Sequence, residues 1–145
     1  MARMEKSIEI KAQPEKLWPM GSFDRLPEWL DFIKKAEWTS KDKDAIGSTA
    51  HVSVEIAGVK GESDIEMTEC VKNKKRVWRT TSGNMTAVSS VTLTPTKVGT
   101  KVTYLMDYDL PYSILGKIID KLRVSKEIGK GIEQGFKKIK AVAEK

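Results

Sequence analysis

Most of this chain alternates apolar and polar residues with a period of two, and the period changes to 3.6 only after Pro111. Alternation puts every second side chain on one face of an extended strand, so such runs form a sheet with one buried face. The opening run, Met4 to Lys11, places Ile8 and Ile10 inward. Ser48 to Ile56 sets Ala50, Val52, Val54 and Ile56 on one face, with His51, Ser53 and Glu55 on the other. Glu62 to Cys70 turns Ile65 and Met67 inward. Arg76 to Thr81 holds Trp78, and Met85 to Thr94 offers Ala87, Ser89, Val91 and Leu93. Lys101 to Asp109 lines up Val102, Tyr104, Met106 and Tyr108. Gly, Asn, Lys and Pro clusters separate these runs, which predicts hairpin connections and an antiparallel sheet.

The tail supplies a cover for the apolar face. Leu115, Ile118, Ile119, Leu122, Ile128, Ile132, Phe136, Ile139 and Ala143 recur at three- and four-residue spacing. This predicts an amphipathic helix of about eight turns. Between the first strand and the rest, Pro14 to Met20 reads as a short helix, with Pro14 suited to its first turn. Phe23 to Trp29 reads as a second, limited by Pro27, before a strand near Lys34 to Ser40 that contains Trp38. The order is β-α-α-β6-α, an α+β class. No repeat, linker or low-complexity stretch divides residues 1–145, so one domain is expected.

Composition removes many functions. A single cysteine, Cys70, excludes an internal disulfide, and with the single histidine, His51, it excludes a usual zinc site. His51 falls on the polar strand face, away from any covered space. Cys70 shares the parity of Asp64 and Glu66 near a strand end. Asp107 and Asp109, like Glu55, Asp64 and Glu66, read as solvated carboxylates. No metal or other cofactor is expected. Gly129-Lys130-Gly131 misses the spacing of a phosphate loop and follows no strand. Each of Gly129, Gly131 and Gly135 costs a helix about 1 kcal/mol relative to Ala. They mark either close packing or a soft section that bends over a ligand.

The start has no apolar targeting core and no segment is apolar enough to span a bilayer, so a cytoplasmic location is expected. Of the net charge of +6, the segment from Pro111 onward carries most, with nine Lys/Arg against four Asp/Glu.

The whole chain resembles the START-like, or helix-grip (SRPBCC), superfamily, closest in look to polyketide cyclase/dehydratase-like proteins. The resemblance rests on the opening strand running into Ala12-Gln13-Pro14-Glu15-Lys16-Leu17-Trp18. It continues through Leu26-Pro27-Glu28-Trp29, Lys75-Arg76-Val77-Trp78-Arg79 and Gly99-Thr100-Lys101-Val102-Thr103-Tyr104. Asp107-Tyr108-Asp109-Leu110-Pro111, leading into Leu115-Gly116-Lys117, completes it. It implies a seven-stranded curved antiparallel sheet gripping the long C-terminal helix, with a cavity between them.

Parity then assigns that space Trp38, Val54, Met67, Trp78, Met85, Tyr104, Met106 and Tyr108 from the sheet. Ile128, Ile132 and Phe136 come from the helix. Aromatics and flexible methionines suit an adaptable apolar pocket. The expected function is binding or transport of an apolar or amphipathic molecule such as a lipid, isoprenoid or polyketide. Two alternatives stand beside it. One is a cyclase/dehydratase-like enzyme using Arg79 and Tyr104. The other is a module that sets the basic helix, or the Lys72 to Arg76 hairpin tip, on RNA, ribosome or anionic membrane. No DNA partner is expected, binding to anionic surfaces through the helix should be weak, and the protein should be a monomer or weak dimer.

Overall fold

Each alternating run becomes a strand, and each strand pairs antiparallel with its neighbour in one curved sheet ordered β1-β7-β6-β5-β4-β3-β2. The computed structural model describes residues 2–83, 85–109 and 121–145. The strands are β1 (Ala2–Ile10), β2 (Ile33–Trp38), β3 (Thr49–Ile56), β4 (Val59–Val71), β5 (Lys75–Gly83), β6 (Thr86–Pro95) and β7 (Thr100–Asp109). The chain's first strand thus lies beside its last, with Ile8 opposite Val102. Ala50, Val52, Ile56, Ile65, Met67, Trp78, Ala87, Leu93, Val102, Tyr104, Met106 and Tyr108 are all buried. The parity reading therefore holds over most of the sheet.

It fails at Cys70. The β4–β5 register shifts between Met67 and Glu69, which leaves Thr68 as a bulge. An extra residue moves everything beyond it to the other face. Cys70 accordingly pairs with the buried Arg76 and packs against the core, instead of sharing the outer face with Asp64 and Glu66.

The first predicted short helix is a single α turn, α1 (Pro14–Leu17), followed by a 3-10 turn over Trp18–Gly21. The second is a 3-10 helix, Phe23–Glu28, with Pro27 inside it. These segments bury Leu17, Trp18, Phe23, Leu26, Trp29 and Leu30. They form a plug across one part of the concave face.

The terminal helix, α2 (Lys121–Ala143), has 23 residues. It buries Val124, Ile128, Ile132, Phe136, Ile139 and Ala143, spaced by four or three residues. Leu122, assigned to the apolar stripe by spacing, is instead 59% exposed, and Val124 takes the inward position. Leu115, Ile118 and Ile119, and with them the first turns of the predicted helix, lie outside the described residues. Lys126, Lys130, Lys137 and Lys138 face outward.

Polar contacts fix α2 over the sheet. Lys6 of β1 meets Glu133 at 2.7 Å. Lys11 donates its backbone N–H to Glu144 at 2.8 Å. At the β3–β4 turn the Ala57 N–H donates to the Glu127 carboxylate, which holds Ala57 at a φ of 53°.

Candidate functional site

The covered face of the sheet is a row of rings before it is anything else. Trp38 stacks on Phe23 with centroids 5.1 Å apart, and Phe23 meets the edge of Trp78 at 5.6 Å. Trp78 stands perpendicular to Tyr104 at 6.1 Å, and Tyr104 meets Trp29 at 6.1 Å. Trp29 stacks on Phe136 of α2 at 6.5 Å. Four of the anticipated residues, Trp38, Trp78, Tyr104 and Phe136, therefore lie in one aromatic line. The members that complete it, Phe23 and Trp29, come from the short helical segments. Sequence reading passed over both because a 3-10 turn has no 3.6 periodicity to reveal its inward face.

The other anticipated residues fall in two groups. Met67, Met106, Tyr108, Ile128 and Ile132 are buried between sheet and helix. Val54 and Met85 are half-buried at the rim, and Val54 also lines an open surface groove with Lys34, Lys60 and Glu62. Hydroxyl groups are distributed sparingly. Tyr104 hydrogen-bonds Ser89, and its burial pushes its pKa up to about 12, with the Ser89 bond acting in the opposite sense. Its phenol stays protonated at neutral pH. Tyr108 and Ser125 share a 2.6 Å hydrogen bond that ties β7 to α2.

Among the described residues from β3 to β7, one charge is buried on this face. Arg76 is 2% exposed and gives two hydrogen bonds to Asp44, Nε at 2.7 Å and Nη2 at 2.8 Å. Its Nη1 donates to the Trp18 carbonyl at 2.8 Å, and the guanidinium lies 3.6 Å over the Trp18 ring. Arg76 is thus a clamp between sheet and plug, not part of a basic hairpin tip. Parity with Trp78 would have found it, had its charge not argued for the surface. Beside it a pocket of about 20 Å³, the size of one water position, is lined by Leu17, Trp29, Arg76, Leu93, Val102 and Ile139. Among the described residues, Trp29 Nε1 is the buried side-chain donor without a hydrogen-bond partner.

The candidates for chemistry do not converge. Arg79 is exposed on the outer face, 3.0 Å from Glu66, while Tyr104 is buried on the inner face. The sheet separates the pair proposed for proton transfer. His51 also lies on the outer face, with Nδ1 2.8 Å from Asp64 and Nε2 3.5 Å from Glu62. Ser82 donates to the second Asp64 oxygen at 2.6 Å, so the carboxylate stands between serine and histidine and no nucleophile–base contact exists. Burial raises the pKa of the Cys70 thiol, with Asp44 adding to the effect and Arg76 opposing it. Among the described residues no group of three or more His, Cys, Asp or Glu is placed to hold a metal ion.

The His51 cluster gives a measurable signature. The hydrogen bond that His51 donates to Asp64, then the charges of Asp64, Glu62 and Glu37, raise the His51 pKa above the ordinary histidine value of about 6.5, against an opposing effect of desolvation. Histidine resonances followed by NMR should titrate above that value, and Asp64→Asn should bring the midpoint back toward it. A folded pKa above the unfolded one favours folding at pH below the unfolded value, and that contribution disappears as pH rises through the folded value. Exposure of the imidazole keeps the contribution small. A wild-type midpoint at or below the ordinary histidine value would contradict the Asp64 contact.

A family model described as polyketide cyclase/dehydrase and lipid transport matches residues 1–144. The chain belongs to that family. As a member of the polyketide cyclase/dehydrase and lipid transport family, it has the helix-grip START-like fold. A START superfamily protein from Mycobacterium smegmatis superposes with a TM-score of 0.76 at 19% identity, covering 98% of this chain and 97% of that one. A Thermus thermophilus protein gives a TM-score of 0.75 at 19% identity, with 97% and 94% covered. The ginseng major latex-like protein 151 gives 0.72 at 14% identity, with 98% and 97% covered. No curated protein matches the sequence. At these identities the likeness speaks for the fold of this family member and leaves its ligand to its own residues.

Proposed function

We propose that the protein binds an apolar or amphipathic small molecule, such as a lipid, isoprenoid or polyketide, between the sheet and α2. The observation that carries this reading is the segregation of charge. From β3 to β7 the concave face presents aliphatic, aromatic, thioether and hydroxyl groups. Its one cation among the described residues, Arg76, is held by Asp44. Acids and bases such as His51, Asp64, Glu66, Arg79 and Asp107 lie on the other side of the sheet. Such a face favours an apolar body, and burying it yields about 25 cal/mol per Å² before entropy costs. The buried donor at Trp29 Nε1 and the hydroxyls of Tyr104 and Tyr108 favour a ligand that also carries oxygen acceptors. The family description adds weight for carriage of a lipid and equally for polyketide chemistry. The separation of Arg79 from Tyr104 weighs against proton transfer by that pair.

The test is titration with an environment-sensitive apolar dye, followed through dye emission and tryptophan quenching. Native mass spectrometry of the freshly purified protein accompanies it. We expect a dissociation constant in the micromolar range, and competition by an oxygen-bearing lipid. Met106→Trp, which fills space beside Tyr104 and Tyr108, should weaken dye binding at least several-fold while the protein remains folded. A folded wild type that neither binds dye nor carries any small molecule overturns the reading and leaves these residues as core.

A further inference from the structure

We propose that the end of the sheet opposite the β3–β4 turn docks on an anionic lipid bilayer. Three loops meet there because alternate connections of an antiparallel sheet lie at one end. They are residues 39–48 between β2 and β3, 72–74 between β4 and β5, and 96–99 between β6 and β7. Six large apolar side chains are exposed among the described residues; two of them lie in these loops and a third, Val71, ends β4 beside them. Ile46 is 70% exposed, Val71 44% and Val98 52%. Scattered exposed aliphatics need no explanation, but three at one end, each accompanied by lysine, form a pattern.

The charge is equally one-sided. Lys41, Lys43, Lys72, Lys74 and Lys97 are exposed there. No ion pair engages any of them among the described residues. Asp42 opposes them, whereas Asp44 is neutralised by the buried Arg76. The α2 face differs, because its lysines alternate with Glu127 and Glu133, and these glutamates already hold Ala57 and Lys6.

The tips are also held in place. The Gly47 N–H donates to the Met67 carbonyl at 2.8 Å, and the Cys70 thiol donates to the Asp44 carbonyl at 3.4 Å. The Leu93 N–H donates to the Lys74 carbonyl at 2.7 Å, and the Thr96 N–H to the Gly99 carbonyl at 2.9 Å. Aliphatic tips fixed in this way can enter the headgroup boundary with little ordering cost, while the flanking ammonium groups meet lipid phosphates and carboxylates. This inference stands on the surface alone and holds or fails separately from ligand carriage.

The experiment is sedimentation of the full chain with phosphatidylcholine vesicles, with and without phosphatidylserine. Binding is expected only with phosphatidylserine and should fall as salt rises. Each lysine near such a surface contributes roughly five-fold to partitioning, so Lys72→Glu with Lys74→Glu should lower it by roughly thirty-fold or more. Ile46→Asp with Val98→Asp should also release the protein, with circular dichroism showing an intact fold. Lys126→Glu with Lys137→Glu on α2 should change binding far less. Four outcomes overturn the proposal: no wild-type binding to phosphatidylserine vesicles, unchanged binding by the folded tip variants, loss of binding through the α2 variant instead, or binding to RNA without binding to vesicles.

Discussion

Asp44→Asn should destabilise the protein by about 3 kcal/mol, measured as a shift in the urea unfolding midpoint. The substitution keeps the side chain's size, and asparagine tolerates the left-handed backbone that Asp44 adopts at a φ of 54°. The charge is lost, and with it one of the two oxygens that accept from Arg76. This leaves the Arg76 guanidinium, whose side chain is 3% exposed, without its counter-charge. Removing one member of a buried pair costs about 3–5 kcal/mol, and the 29% exposure of the Asp44 side chain argues for the lower end. Arg76→Met should cost less, about 1–2 kcal/mol, because the carboxylate left behind can hydrate and methionine restores apolar packing. The order of the two variants is the informative result. If Asp44→Asn stays within about 1 kcal/mol of wild type, the clamp between sheet and plug is not an energetic one.

Gly135→Ala should cost about 2–3 kcal/mol, against the sign that helix propensity alone would give. A methyl group at Gly135 would run into the Trp29 carbonyl oxygen and lie 2.9 Å from its Cε3 atom. Backbone cannot yield as a side-chain tip does, so the overpacking cost here exceeds the usual range of about 1–3 kcal/mol and outweighs the gain of about 1 kcal/mol from replacing glycine. Gly129→Ala is the control. Its methyl would meet only the Met4 thioether and its methyl carbon at 3.3 Å, with the flexible Lys6 side chain at 3.4 Å. That variant should be neutral or up to about 1 kcal/mol more stable. Thermal unfolding of the two variants side by side decides the matter, and equal shifts would mean that α2 does not rest on Trp29. Gly131, whose methyl would meet the Phe32 ring at 2.8 Å, belongs with Gly135. These glycines let the helix sit against the segment around Trp29 and Phe32, which favours close packing over a soft section in α2.

The sheet was legible because alternation is a direct trace of which face is covered, and Tyr104, Met106 and Tyr108 sit where parity put them. Two kinds of information were not in the pattern. A bulge adds one residue without changing composition, so Thr68 gave no sign that Cys70 would turn inward. Short 3-10 segments bury rings through tertiary packing alone, so Phe23 and Trp29 went unassigned although they complete the aromatic line. Arg76 is a different case. Its parity with Trp78 pointed inward, but a cation at a lysine-rich turn argued for solvent, and only the contact with Asp44 resolves the conflict. Leu122 followed the spacing of the stripe and is exposed. Helix periodicity fixes a face to within about 100°, which is too broad to decide a residue at its edge.

The pairing of β1 with β7 bears on how the chain must be made. Arg3 and Asp107 are 104 residues apart in sequence and meet side chain to side chain. At about 5–20 residues per second of synthesis, the first strand waits roughly 5–20 s on the ribosome for its partner. For that interval it is a strand with Met4, Ile8 and Ile10 on one side and nothing to cover them. Glu5, Glu9 and Lys11 alternate with those residues and Lys6 interrupts their row, and such charges discourage pairing with a neighbouring nascent chain. The charged alternation that reads in the finished protein as a solvated edge therefore also serves as protection during biosynthesis.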